Sequence, residues 1–180
     1  GTNATPAAVA RLSREFGTDR PLLVQYADWA QGLLHGDFGT SYVTHEAIGP
    51  RIADRFAVTA WLVAGGMLVA LLLALPAGVL AAAWHRTGRG ALLSGLSQVG
   101  IAVPAFLAGI LLVYTFAVRA GALPAGGYTP LTEDAQDWAR QLVLPWVSLG
   151  LVQGAVLTRY VRSALLSVQR QDFMRTARAK

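Results

Sequence analysis

Three long stretches without a single Asp, Glu, Lys, Arg or His constrain this chain more than anything else in it: residues 56–84, 91–118 and 142 to about 158. The first is 29 residues long, where about 20 apolar residues suffice for a helix to cross the hydrocarbon of a bilayer. Inside lipid every backbone N–H and C=O must find its partner within the protein, which leaves helices or closed barrels. Uncharged runs of this length are far longer than a spanning strand, so they predict membrane helices. With 54% hydrophobic and 14% charged residues, the whole composition lies outside the usual range of water-soluble domains.

The charges are sorted by segment. Residues 1–55 hold five Arg against six Asp or Glu, net −1, and residues 85–90 hold Arg86 and Arg89, net +2. Residues 119–140 hold Arg119 and Arg140 against Glu133, Asp134 and Asp137, net −1, while 158–180 hold six Lys or Arg against Asp172, net +5. The alternation accounts for the whole net charge of +5. It follows the rule that basic loops stay on the cytoplasmic side, and it argues against a nucleic-acid-binding patch. The order expected is outside for 1–55, three crossings, and cytoplasm for 159–180.

Each run carries a proline, Pro76, Pro104 and Pro145, read as helix kinks, with gating hinges as the alternative. Gln98 and Gln153 are the most polar side chains within the runs. Such residues more often bond between helices than line a solute path. Gly150 and Gly154 form a small-x-x-x-small pair, a weak sign of close helix approach.

Residues 1–55 read as an extracytoplasmic helical segment. Thr5-Pro6 suits the cap and first residue of a helix running to about Phe16, and Gly17 to Pro21 suits a turn. A second helix to about Leu34 places Leu22, Tyr26, Trp29, Ala30 and Leu33 on one face. That face must be covered by protein or by the membrane interface.

Beyond the last run, Val161, Ala164, Leu165 and Val168 continue a helical face while Arg159, Arg162, Ser163 and Ser167 lie opposite. Asp172 suits the cap of a further short helix with Phe173 and Ala177 on one side and Arg175 and Arg178 on another. From the residues alone, that helix either docks on a protein partner or lies on anionic lipid, at about 1 kcal/mol per basic residue.

The run Gln171-Asp172-Phe173-Met174-Arg175-Thr176-Ala177-Arg178-Ala179-Lys180 resembles the cytoplasmic loop of permease subunits of peptide/nickel-class ABC importers. In that family it corresponds to the EAA loop, with Arg175-Thr176-Ala177 standing where other importers have Glu-Ala-Ala. A second resemblance lies in Gly17-Thr18-Asp19-Arg20-Pro21-Leu22, Gln25-Tyr26, Trp29, Leu33 and Gly36-Asp37-Phe38-Gly39-Thr40-Ser41. These look like the long external loop of one of the two permeases of peptide importers, although Phe16 and Thr18 stand where leucines are expected.

What the resemblance implies is an all-α polytopic protein of the type I importer (MetI-like) permease fold. One helix is expected before Gly1, with a loop glycine and two further helices after Lys180. It implies a multi-pass protein of a bacterial-type inner membrane and a segment, 172–180, that couples to an ATPase through Asp172, Phe173, Met174, Arg175, Thr176, Ala177, Arg178, Ala179 and Lys180. Expected partners are a second permease, cytosolic ABC ATPases, an extracytoplasmic substrate-binding protein and membrane lipid. No cofactor, metal or nucleic acid is expected. The rival reading is a non-transport scaffold with a basic interaction tail.

Catalytic readings fare poorly on the residues themselves. His35, His45 and His85 all lie in loops and the runs contain no Asp or Glu, so neither an intramembrane serine protease nor an aspartyl one can be assembled. Ion-coupled carriers usually place ionisable residues inside their helices. Asp37-Phe38-Gly39 lacks the other kinase elements, and no Gly-x-x-x-x-Gly-Lys-Ser/Thr loop is present to bind nucleotide. ATP hydrolysis would belong to separate subunits.

Overall fold

The computed structural model of the chain describes residues 5–169 and 171. All regular elements among them are helices, and the chain divides into two compact units, Gly1–Ala57 and Val58–Lys180.

In the first unit, helix α1 (Pro6–Glu15) starts where Thr5 Oγ1 accepts the Ala8 N–H at 3.4 Å and Pro6 fills the first turn, where no N–H is needed. Gly17, with φ of +67°, turns the chain. Helix α2 (Leu22–Leu34) follows Pro21, and Arg20 pairs with Asp28 at 2.9 Å across its first turns. Gly36 and Gly39 take left-handed conformations, and the loop they shape folds onto the start of the next helix. Ser41 N–H donates to Glu46 O at 2.9 Å and Ile48 N–H donates to Gly39 O at 3.0 Å. The rings of Phe16 and Tyr42 lie 4.3 Å apart.

Helix α3 (Ile48–Ala83) contains the first uncharged run up to its last residue but one, with Pro76 inside it. Its buried positions Gly66, Ala70, Ala74 and Gly78 recur every fourth residue and are all small. They meet Gly150, Gly154 and Thr158, the buried small positions of helix α6 (Ala135–Gln169). A Cβ at Gly154 would lie 3.4 Å from Ala70 O, and one at Gly78 only 2.6 Å from Val161 Cβ. Lipid is as apolar as any side chain, so helices in it gain little from hiding leucines. They associate through close backbone approach, which small residues permit. Most leucines and valines of α3 accordingly face outward, with Val63, Leu68 and Leu72 well exposed.

The α3–α4 turn is tight: a side chain at Gly90 would collide with Trp84 O, and Thr87 caps helix α4 (Gly88–Ala102). The second uncharged run is not one straight helix. Ala102 ends α4, helix α5 (Ala105–Leu112) begins after Pro104, and the two axes bend by 96°. Val103 is extended, at φ −80° and ψ 119°, because the ring of a following proline disfavours the helical region. The chain then winds as a π-helix, Val113–Arg119. Helix α6 starts in what the charge pattern reads as a loop, since Asp134 Oδ1 accepts the N–H groups of Gln136 and Asp137 at 2.8 and 2.9 Å. It then passes Pro145 without interruption to Gln169.

Two helices are long and apolar enough to cross a membrane, three if the bent pair Gly88–Ala102 and Ala105–Arg119 counts as one span.

Candidate functional site

At one end of the second unit, three indoles lock α3 to α6. Trp138 sits edge-on to Trp61 at 5.0 Å and to Trp146 at 5.4 Å. Trp146 Nε1–H donates to Trp61 O at 2.8 Å. It can reach that carbonyl because the residue one turn on is Gly65, where any side chain would overlap the indole. Gln141 fixes the adjoining loop, accepting from Thr129 N–H at 2.6 Å and donating to Thr129 Oγ1 at 3.1 Å. Nothing in the sequence spacing joins Trp61 to Trp138 and Trp146; only Gly65 hints at a close neighbour.

Midway along the helices lies a cavity of about 460 Å³, walled by α3, α4, α5 and α6. Leu73, Ala77, Leu96 and Leu151 make it apolar, and Ser97 and Thr158 supply its hydroxyls. Both hydroxyls already donate within their own helices, to Leu93 O at 3.0 Å and Gly154 O at 2.7 Å. The space can take an apolar group; it holds no acid, base or nucleophile. No group of three or more His, Cys, Asp or Glu that could hold a metal ion occurs among the described residues.

Gln98 and Gln153 lie on exposed faces of α4 and α6. Among the described residues neither bonds to a neighbouring helix. Pro76 and Pro145 lie inside continuous helices, and Pro104 stands at the bend.

The opposite end is basic. Arg89 stacks over Trp84 at 5.7 Å and Arg159 over Tyr160 at 5.8 Å, contacts that anchor cations beside the apolar runs. His85 Nδ1 lies 2.9 Å from Ala82 O. The approach of Gly78 to Val161 brings the stretch from Arg159 to Arg162 to the same end as this turn. Arg162 Nε is buried there without a partner among the described residues. From that point α6 continues as an unbroken stem to Gln169. The nine coupling residues expected from the sequence, 172–180, lie outside the described residues.

Residues 74–180 match the family described as the binding-protein-dependent transport system inner membrane component. The chain is 36% identical over 184 aligned positions to a peptide transport system permease protein of Brucella abortus, and the same figure holds for one of Brucella melitensis. It is 37% identical over 180 positions to a glutathione transport system permease protein of Salmonella typhimurium. Each alignment takes in all of this chain, which spans 57% of the length of the Brucella relatives and 56% of the Salmonella one.

Proposed function

The chain belongs to the family of binding-protein-dependent transport system inner membrane components, and from that premise we propose that it forms part of the solute path of an ATP-driven peptide-class importer. In this reading it pairs with a second permease, receives solute from an extracytoplasmic binding protein and is driven by two cytosolic ABC ATPases. The cargo is a peptide or a similar small solute, the class named for the relatives. Residues 1–55 lie outside and 159–180 in the cytoplasm.

The observation that carries the proposal is the continuity of α6. It runs 35 residues without a break, about 52 Å at 1.5 Å per residue, and passes from the Trp138 cluster to the threshold of 172–180. Small residues clamp its middle, from Leu149 to Val161, to α3, so a push delivered at its stem moves α3 as well. Closure of the ATPases against Phe173 and Ala177 would tilt α3 and α6 together and turn the path from one side to the other, a rigid-body transition between packed states. The charge-free spans leave energy coupling to the partner subunits.

The test uses the full-length permease assembled with its partners in membranes. Ser163→Pro breaks the stem beyond the clamp, and Phe173→Asp spoils the docking face. Both are expected to abolish uptake, and Phe173→Asp is also expected to reduce recovery of the ATPases with the permease. Uptake that persists without any cytosolic ATPase would overturn the proposal. So would charge reversal at Arg175 and Arg178 that releases the tail from anionic vesicles yet leaves ATPase recovery intact, the result a lipid-binding scaffold gives.

A further inference from the structure

Helix α2 exposes an apolar face along most of its length. Leu22, Tyr26 and Trp29 follow at i, i+4 and i+7, with Leu23 and Leu34 beside them, while Leu33 at i+11 is half-buried. Leu22, Leu23 and Leu34 are more than 80% exposed, and Tyr26 and Trp29 about 60%. A contiguous patch of this kind on a folded element marks a binding surface. Gln31 and Asp28 occupy the other side, and Asp28 is paired with Arg20 at 2.9 Å.

We propose that this face docks on the surface of the lipid bilayer itself, with α2 lying in the interface plane. The first argument is position. The C-terminal end of α2 is stapled to the first turn of α3: Ile48 N–H donates to Gly39 O at 3.0 Å, and a Cβ at Gly49 would meet Phe38 at 3.5 Å and Gly36 O at 3.9 Å. The uncharged surface of α3 begins at Phe56, seven residues further on, about 10 Å at 1.5 Å per residue. The headgroup layer on each side of the hydrocarbon is itself roughly 5–7 Å deep. The end of α2 is therefore tied, through the first turns of α3, to a level a few ångströms above the headgroup layer, within reach of it for the side chains of α2.

The second argument is chemistry. Tyr26 and Trp29, with ring centroids 5.8 Å apart, are the residue types that settle at a membrane–water boundary, ring in the acyl region and polar atom in the headgroups. Residues 20–34 carry only the Arg20–Asp28 pair, net zero, so binding comes from apolar insertion and not from attraction to anionic lipid.

The chain has no cysteine, so single nitroxide labels can be placed cleanly on the full-length protein in phosphatidylcholine vesicles. Leu23→Cys, Tyr26→Cys and Ala30→Cys report the apolar face; Val24→Cys and Gln31→Cys report the other. Collision with oxygen relative to a water-soluble nickel chelate is expected to be several-fold higher at the first three. Adding phosphatidylglycerol or salt is expected to leave the ratios unchanged. Uniform exposure to the nickel chelate at all five sites overturns the proposal. So do apolar-face labels that are immobile and shielded from both reagents, which would mean that a protein partner covers the face. A ratio that rises with phosphatidylglycerol also overturns it, since the attraction would then be electrostatic.

Discussion

At the scale of single residues, the second unit depends on side chains that are missing. Gly65 lets the Trp146 indole reach the Trp61 carbonyl at 2.8 Å, and Gly150 lets α6 lie against Val69, whose Cβ would be 2.6 Å from an added Cβ. Gly65→Ala is expected to destabilise the unit by about 1–3 kcal/mol through overpacking, although alanine is the better helix former. Trp146→Phe deletes the donor and narrows the ring at once, at a cost of about 1 kcal/mol for the hydrogen bond. In the Trp146→Phe background the cost of Gly65→Ala should largely vanish, because the two residues share one space and their effects cannot add. Denaturant titration in detergent micelles measures all three; additive costs would show that Gly65 serves something other than the indole. Gly95, with open space around its Cβ position, is the control, and Gly95→Ala should be neutral or slightly stabilising.

Among the elements, the bend at Pro104 shows what the sequence could and could not disclose. The uncharged runs, the Thr5-Pro6 helix start and the turn at Gly17 are legible because each rests on local chemistry: desolvation, a missing N–H, a positive φ. The three prolines look equivalent by the same local chemistry. Yet Pro76 and Pro145 sit within unbroken helices while Pro104 stands at a 96° bend. Packing makes the difference, since both legs of the bent pair rest on one helix. A Cβ at Gly100 would fall 2.7 Å from Ala155, and one at Gly109 3.8 Å from Ser148. The Trp61–Trp138–Trp146 cluster and the apolar cavity escape the sequence for the same reason: their residues meet only through packing between helices far apart in the chain. Pro104→Ala lifts the restriction on Val103 and tests which cause dominates. Spin labels at Leu92→Cys and Leu111→Cys would be about 28 Å apart, nineteen residues at 1.5 Å each, on a straight helix, and nearer across the bend. A lengthened distance in Pro104→Ala assigns the bend to proline; an unchanged one assigns it to the packing on α6.

For the whole molecule, the bent pair decides how many times the chain crosses the bilayer, and hence on which side its basic tail emerges. The legs have 15 residues each, Gly88–Ala102 and Ala105–Arg119, so each is about 22 Å long if taken at the α-helical rise. Bent by 96°, each leg tilts 48° from the line joining its far ends. The pair then reaches roughly 30 Å from end to end, the thickness of the hydrocarbon. A crossing is therefore possible in spite of the bend. The positive-inside rule predicts it: net +2 at 85–90 and net +5 at 158–180 are expected on one side, net −1 at 119–140 on the other. If the pair re-entered instead, the loop after it would share a side with Arg86 and Arg89, and the most basic segment would face outward. Single cysteines at Thr44, Gly88 and Gly126, all exposed, separate the two arrangements in intact cells treated with a membrane-impermeant maleimide. Labelling of Thr44→Cys and Gly126→Cys with Gly88→Cys protected until the membrane is opened is the expected pattern. Protection of both Gly88→Cys and Gly126→Cys would make the bent pair a re-entrant hairpin, leave the chain with two crossings, and place 159–180 where no cytosolic ATPase could reach it.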